Sequence, residues 1–276
     1  MRQLTALALA ATVAWSGAAM AAAPEPVDIA NEPVALKGFL YRPEGKGPFP
    51  AIVAMHSCEG LAAQAPISER YRDWGERLVA AGFVVLFPDS FGARGLGPQC
   101  KTGQRSQRSG RDRMVDADAA RHWLQQQSYV AANRVSLLGW ANGAVAALWA
   151  VRPRAVPKDG KPDFRSVVAL HPGCRRLAET AWSARAPTLI LIGAKDDWTP
   201  AAPCEQMVAG ARGRSARTSI IVYPGAYHDF DHPNLPLQVS TGVAFAGGTS
   251  TRSVHVGTDQ AARADALKRT AEWILR

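Results

Sequence analysis

The four cysteines of this sequence lack C-x-x-C or any comparable ligand spacing, which argues against a zinc site. There is no internal repeat, no low-complexity tract beyond the N-terminus and no composition break of the kind that separates two domains. The N-terminal apolar stretch has no twin-arginine pattern before it and no cysteine placed for lipidation. The basic residues come with no nucleic-acid motif and no interleaved aromatics, which argues against a nucleic-acid partner. What remains is a chain of 276 residues, 47% hydrophobic and 20% charged, long enough to bury a full core.

Its first residues read as an address rather than as fold. Met1-Arg2 is a short positive start, residues 5–20 are apolar and alanine-rich, and Ala19-Met20-Ala21 fits the small-x-small cleavage rule. The expectation is a signal peptide over 1–21, removed on export to the periplasm or medium, and a single domain over 22–276. The alternative is an uncleaved anchor, since the stretch approaches the ~20 residues that span a bilayer; its alanine content makes it a weak one. After cleavage no stable membrane insertion is expected. Four cysteines in an exported chain can form two bridges, with three connectivities.

The formal net charge is +9, carried mostly by scattered arginines. The one cluster is Arg94, Lys101, Arg105, Arg108, Arg111 and Arg113. It reads as a solvated loop or, failing that, as a site for an acidic substrate. Arg113 and Asp116 read as a structural ion pair on the helix that follows.

The order of elements is legible from periodicity. Val27-Asp28-Ile29 and residues 34–41 form a hairpin around Asn31-Glu32. Continuous apolar runs at 50–55, 83–87, 134–138, 167–170 and 187–193 read as strands buried on both faces, with a further strand at 218–223. Helical spacing covers 68–81, 114–127, about 200–211 and about 259–275, and an alanine-rich helix follows residue 143. Strands alternating with helices give an α/β fold, a mostly parallel sheet with helices on both faces. Residues 151–165 are too few for a helical cap domain, so the loop over 89–112 is the main segment available to shape a pocket.

Four features fall at the carboxyl ends of these strands, where open α/β sheets place their ligands. Gly139-Trp140-Ala141-Asn142-Gly143 joins a strand to a helix through a tight turn. This is the frame of the G-x-S-x-G nucleophile elbow of α/β-hydrolases, with a methyl group at its centre. Asp196-Asp197 follows one strand and His228 another, in the order elbow, acid, histidine. A triad needs an imidazole to take the nucleophile's proton and a carboxylate to orient it. His228 and Asp196 fit, with Asp197 as the alternative acid. The backbone N–H groups of Asn142 and Cys58 are the candidate oxyanion donors. His56, His122, His171, His232 and His255 read as structural.

With His56-Ser57-Cys58-Glu59-Gly60-Leu61, Gly139-Trp140-Ala141-Asn142-Gly143, Gly193-Ala194-Lys195-Asp196-Asp197-Trp198-Thr199-Pro200 and Tyr223-Pro224-Gly225-Ala226-Tyr227-His228-Asp229-Phe230 in view, the chain from about residue 34 to 276 resembles the dienelactone hydrolase family, in its exported bacterial form. The resemblance implies an α/β-hydrolase domain without a cap, a Cys or Ser nucleophile, small ester or lactone substrates, and no metal or organic cofactor. It puts the nucleophile on Ala141, the acid on Asp196, the base on His228 and the oxyanion donors on Cys58 and Asn142.

Alanine at 141 cannot attack a carbonyl. One reading is a working esterase whose nucleophile has been replaced, leaving it inactive or severely impaired. The other is a natural pseudoenzyme that binds small ligands without turnover. Cys58 and Ser57, near the site, are the rescue nucleophiles to consider. The cysteines lie at the same end of the sheet, and Cys58–Cys100 and Cys174–Cys204 are the expected bridges because each joins loops expected to be neighbours. The alternative leaves Cys58 free.

Overall fold

The computed structural model describes residues 23–61, 67–101, 112–157, 159–244 and 251–276. The expected signal, residues 1–21, lies outside the described residues, as do Arg105, Arg108 and Arg111 of the basic cluster.

The N-terminal hairpin pairs β1 (Glu25–Ile29) antiparallel with β2 (Leu36–Tyr41), and β2 runs antiparallel to β4 (Val84–Asp89). From β4 onward the sheet is parallel. It continues through β3 (Phe49–Met55), β5 (Val130–Trp140), β6 (Val167–Leu170), β7 (Thr188–Gly193) and β8 (Thr218–Tyr223). The order across the eight strands is β1-β2-β4-β3-β5-β6-β7-β8. The central runs are buried along their length, as residues covered on both faces must be.

Two apolar layers sandwich the sheet. One face is covered by α2 (Asp112–Gln125), α3 (Asn142–Ala150), the short α4 (Arg175–Glu179) and α5 (Ala201–Gly210). These contribute Ala117, Leu124, Ala147, Leu177 and Met207. The other face is covered by α1 (Glu69–Ala80) and α6 (Gln260–Leu275), through Tyr71, Trp74, Leu78, Ala266 and Trp273. Full burial of each large apolar side chain stabilises by about 1.5–3 kcal/mol, and the aromatic block Tyr71, Trp74, Phe87 and Trp140 packs edge-on and stacked beneath the elbow.

Two features of the fold were not anticipated. One is α4. The other is an antiparallel pair, β9 (Gln238–Ala244) with β10 (Thr251–Val256), which forms its own sheet. Its buried valines, Val243, Val254 and Val256, pack against Trp198 of the acid loop. The pair is also tied to the first bridge, where Ala244 N–H donates to the Cys100 carbonyl at 2.8 Å. The described segment that ends at Cys100 is therefore joined to this pair.

Disulfides join Cys58 to Cys100 and Cys174 to Cys204. The first links the loop after β3 to the loop after β4, and the second links the loop after β6 to α5. Each such bridge typically contributes about 2–4 kcal/mol. Cys58 is thus not free, and its sulfur is not available as a rescue nucleophile. The expected Arg113–Asp116 pair is not formed. Asp116 is held by Arg94, at 2.8 and 3.0 Å, and by Asn31 at 3.1 Å, while Arg113 turns to Asn142.

Candidate active site

The elbow is a steric solution before it is a chemical one. A Cβ on Gly139 would lie 2.6 Å from the carbonyl carbon and oxygen of Gly143, and a Cβ on Gly143 would lie 2.1 Å from the Met55 carbonyl oxygen. Both obstacles are backbone, so neither can give way. Gly143→Ala is expected to cost at least about 3 kcal/mol, beyond the usual overpacking range. In a melt this would read as a fall of about 6 °C or more, and an unchanged melting temperature would contradict the packing.

Between these glycines Ala141 sits at φ 45°, ψ −107°, a left-handed conformation an L-residue adopts only under constraint. The constraints are visible. Ala141 N–H donates to the Leu170 carbonyl at 3.0 Å, and its own carbonyl accepts from Val145 N–H, the first bond of α3. The residue after Leu170 is His171, whose ring lies 4.3 Å, centre to centre, from that of His228. Trp140, just before Ala141, donates its indole N–H to Asp231 at 2.7 Å. The elbow and the histidine loop are thereby fastened together.

His228 is 1% exposed. Its Nδ1 lies 2.8 Å from Asp196 Oδ2. Asp196 is held in turn by the N–H groups of Trp198 and Thr199, at 3.0 and 2.7 Å, and by the Thr199 hydroxyl at 2.8 Å. Asp197 points elsewhere: it binds the backbone and ring of His255 on β10, at 2.9 and 2.8 Å, at an exposed position. Of the two adjacent acids, then, Asp196 is the one paired with His228. Burial works against a charged His228, but Asp196 and Asp229 outweigh it and hold the imidazole above its ordinary value of 6.5. Trp198 packs on this ring at 4.6 Å, and His171 makes a second ring contact with it.

His171, expected to be structural, lies against the His228 ring. Its Nε2 donates to Asp231 Oδ1 at 3.0 Å, and its φ of 39° is also left-handed. Burial, followed by the nearby His228, lowers its affinity for a proton. Asp231 also takes the indole N–H of Trp74 at 2.9 Å, and burial notwithstanding, Arg70 and His171 keep it ionised. Arg70, 2% exposed, binds Asp229 at 2.7 Å. A doublet such as His171 or Asp231 carries no signal in periodicity; it is revealed only when three strand ends meet. The other histidines make hydrogen bonds away from the His228 ring. His56 bridges the Ser57 carbonyl and Ser90 N–H, and His122 and His232 serve local surface bonds.

His171, His228 and Asp229 offer ligand atoms within 4.8 Å of one another. His171 Nε2 carries the proton it donates to Asp231, and Asp229 is bound by the Arg70 guanidinium at 2.7 Å, so a cation there would meet a fixed positive charge and displace these partners. The donor set fits an acid–imidazole–guanidinium network better than a metal site.

At the oxyanion position, the N–H groups of Cys58 and Asn142 donate to no acceptor among the described residues. Asn142 N opens α3, where the helix dipole favours negative charge. The loop around Cys58 is fixed by its disulfide, by Gln99 N–H on its carbonyl at 2.7 Å, and by the Tyr71 hydroxyl accepting Ser57 N–H at 2.7 Å.

An eight-stranded, mostly parallel sheet carrying an elbow, an acid loop and a histidine loop at one end defines an α/β-hydrolase fold. Solved structures share it. A "Putative Dienelactone Hydrolase" from Klebsiella pneumoniae superposes with a TM-score of 0.69 over 92% of this chain and 98% of that one, at 19% identity. An esterase of Thermogutta terrifontis superposes at 0.63 over 92% and 94%, at 16% identity. The chain belongs to the dienelactone hydrolase family, whose model matches residues 36–276. Among curated proteins it is similar to a "Probable 2-oxo-3-(5-oxofuran-2-ylidene)propanoate lactonase" of Bradyrhizobium, 27% identical over 213 residues, covering 74% of this chain and 82% of that protein. The family and this relative are hydrolases.

Proposed function

We propose that this chain is a hydrolase scaffold for small esters or lactones, working by acyl transfer to water, whose nucleophile position is filled by Ala141. The observation that carries the reading is the buried His228–Asp196 pair at 2.8 Å, fastened through Trp140 and Asp231 to an elbow that keeps its strained backbone at Ala141. In this reading a hydroxyl at 141 attacks the carbonyl carbon and His228 takes its proton at Nε2, the nitrogen not engaged by Asp196. Cys58 and Asn142 N–H groups receive the oxyanion. The imidazolium then protonates the leaving alcohol, and water hydrolyses the acyl-enzyme by the same route. As written, the chain lacks the attacking atom and is inactive or severely impaired. A second reading, ligand binding without turnover, is favoured by Ala141 itself.

We also propose that the mature chain, residues 22–276, is a single domain exported to the periplasm or medium. Two disulfides support this, and no helix among the described residues is long and apolar enough to cross a membrane.

A neutral alkyl fluorophosphonate tests the catalytic reading. It should add covalently to the Ala141→Ser variant, at residue 141 by peptide mass, and leave the chain as written unmodified. A serine variant that stays unlabelled and hydrolyses no ester would sink the esterase reading and leave the binding one.

A further inference from the structure

Arg113 is buried to 0% exposure and has no carboxylate within ion-pair distance among the described residues. Asp116, one helical turn on, is committed to Arg94 and Asn31. Residues 102–111, which lead into the helix, contain no acid. Arg113 makes one strong bond: Nη1 donates to Asn142 Oδ1 at 2.7 Å, while Nε and Nη2 have no partner. The guanidinium lies over the Phe91 ring at 5.1 Å. Burial lowers its proton affinity, against the nearby Asp116 and Asp89, to a pKa of about 10, so it remains a cation at neutral pH. A buried cation that shares its nearest carboxylate, Asp116, with Arg94 is costly unless a further negative charge appears beside it.

Asn142 is the residue whose backbone N–H stands first in α3, next to Ala141. Its side chain is the one acceptor Arg113 holds. We propose that Arg113 is a positioning residue of the oxyanion hole: it fixes Asn142 and sets a positive charge behind the N-terminus of α3, where negative charge develops in the reaction. This rests on the esterase reading for its kinetic consequence, but not for its electrostatic one. A carboxylate such as butyrate, the product of a butyrate ester, presents the same negative oxygen without turnover. Lysine would keep the charge but not the planar fork that holds Asn142.

The test uses Arg113→Met and Arg113→Lys in the full chain, each also combined with Ala141→Ser. In the serine background, Arg113→Met should lower kcat for p-nitrophenyl butyrate about 10²-fold, as loss of an oxyanion donor does, with KM little changed. Arg113→Lys should lose about tenfold. In the chain as written, butyrate titrated against the Asn142 amide resonance should bind about tenfold more weakly to Arg113→Met. Melting curves confirm that each variant folds. Should Arg113→Met not fold, Arg113→Lys decides through the same two readouts. If Ala141→Ser has no turnover, the esterase reading fails on its own and the butyrate titration alone decides Arg113. Parent-like kcat and butyrate affinity in the folded variants, an equal loss in KM rather than kcat, or no butyrate binding to the parent would each overturn the proposal.

Discussion

The Ala141→Ser variant is expected to hydrolyse p-nitrophenyl butyrate about 10⁴- to 10⁶-fold faster than the chain as written, the range set by removal of a triad nucleophile elsewhere. The reason is that everything except the attacking atom is in place. Ala141 already holds the left-handed backbone that exposes an elbow side chain, so the strain is present without the oxygen. The added hydroxyl enters a position 7% exposed at the base of the site, next to Asn142. The pH dependence follows from His228. Its proton affinity is raised by Asp196 and Asp229 against the effect of burial, and only the neutral imidazole can act as the base. Activity should therefore rise with pH through a midpoint above 6.5, and fall off as pH drops below it. A serine variant no faster than its parent would favour binding without turnover. Equal turnover in both would point to another nucleophile, and the Cys58–Cys100 bridge already removes the sulfur of Cys58 from consideration.

The parts of this fold visible in the sequence are those in which one residue's environment is set by its own neighbours. The runs in β3, β6 and β7 are apolar because both faces of the sheet are covered, and that leaves a local mark. Gly139 and Gly143 mark the elbow for the same reason, since the turn that needs them is five residues long. The paired cysteines could be placed because they fall at one end of the sheet. What escaped is set at long range. Arg94 reaches Asp116 across 22 positions, so the local pairing of Arg113 with Asp116 was the wrong inference from spacing alone. His171 meets Asp231 across 60 positions, and nothing near either one announces it. The β9–β10 pair is mostly exposed, and its strands are rich in small and polar residues such as Ser240, Thr241, Gly242 and Ser253, so the few buried valines, Val243, Val254 and Val256, leave too short a pattern to mark it. It matters to the site nonetheless, because it carries His255 to Asp197 and packs on Trp198, leaving Asp196 as the acid that faces His228.

That division of labour between adjacent acids yields the second large effect. In the Ala141→Ser background, Asp196→Asn is expected to lower kcat about 10⁴-fold, and Asp197→Asn by no more than about threefold. Asparagine at 196 is nearly isosteric, and the N–H groups of Trp198 and Thr199 can still bind its carbonyl oxygen as they bind Oδ1 of Asp196. That leaves an NH₂ group facing Nδ1 of His228, where Oδ2 now sits at 2.8 Å. An NH₂ there donates, so the ring keeps its proton on Nε2 and loses the lone pair that must accept the serine proton. The imidazolium formed in the transition state loses its counter-charge in the same substitution. At 197 the partner is His255, half-exposed on β10, and its loss loosens the hairpin without touching the His228 ring. The pH profile separates the two effects. Removing the Asp196 carboxylate removes the leading influence that raises His228, so the residual activity of Asp196→Asn should titrate at lower pH than that of the parent serine enzyme, while Asp197→Asn should keep the parent's midpoint. Equal losses at the two positions would mean that the carboxylates exchange roles in solution and that the hairpin, rather than the triad geometry, governs the acid loop.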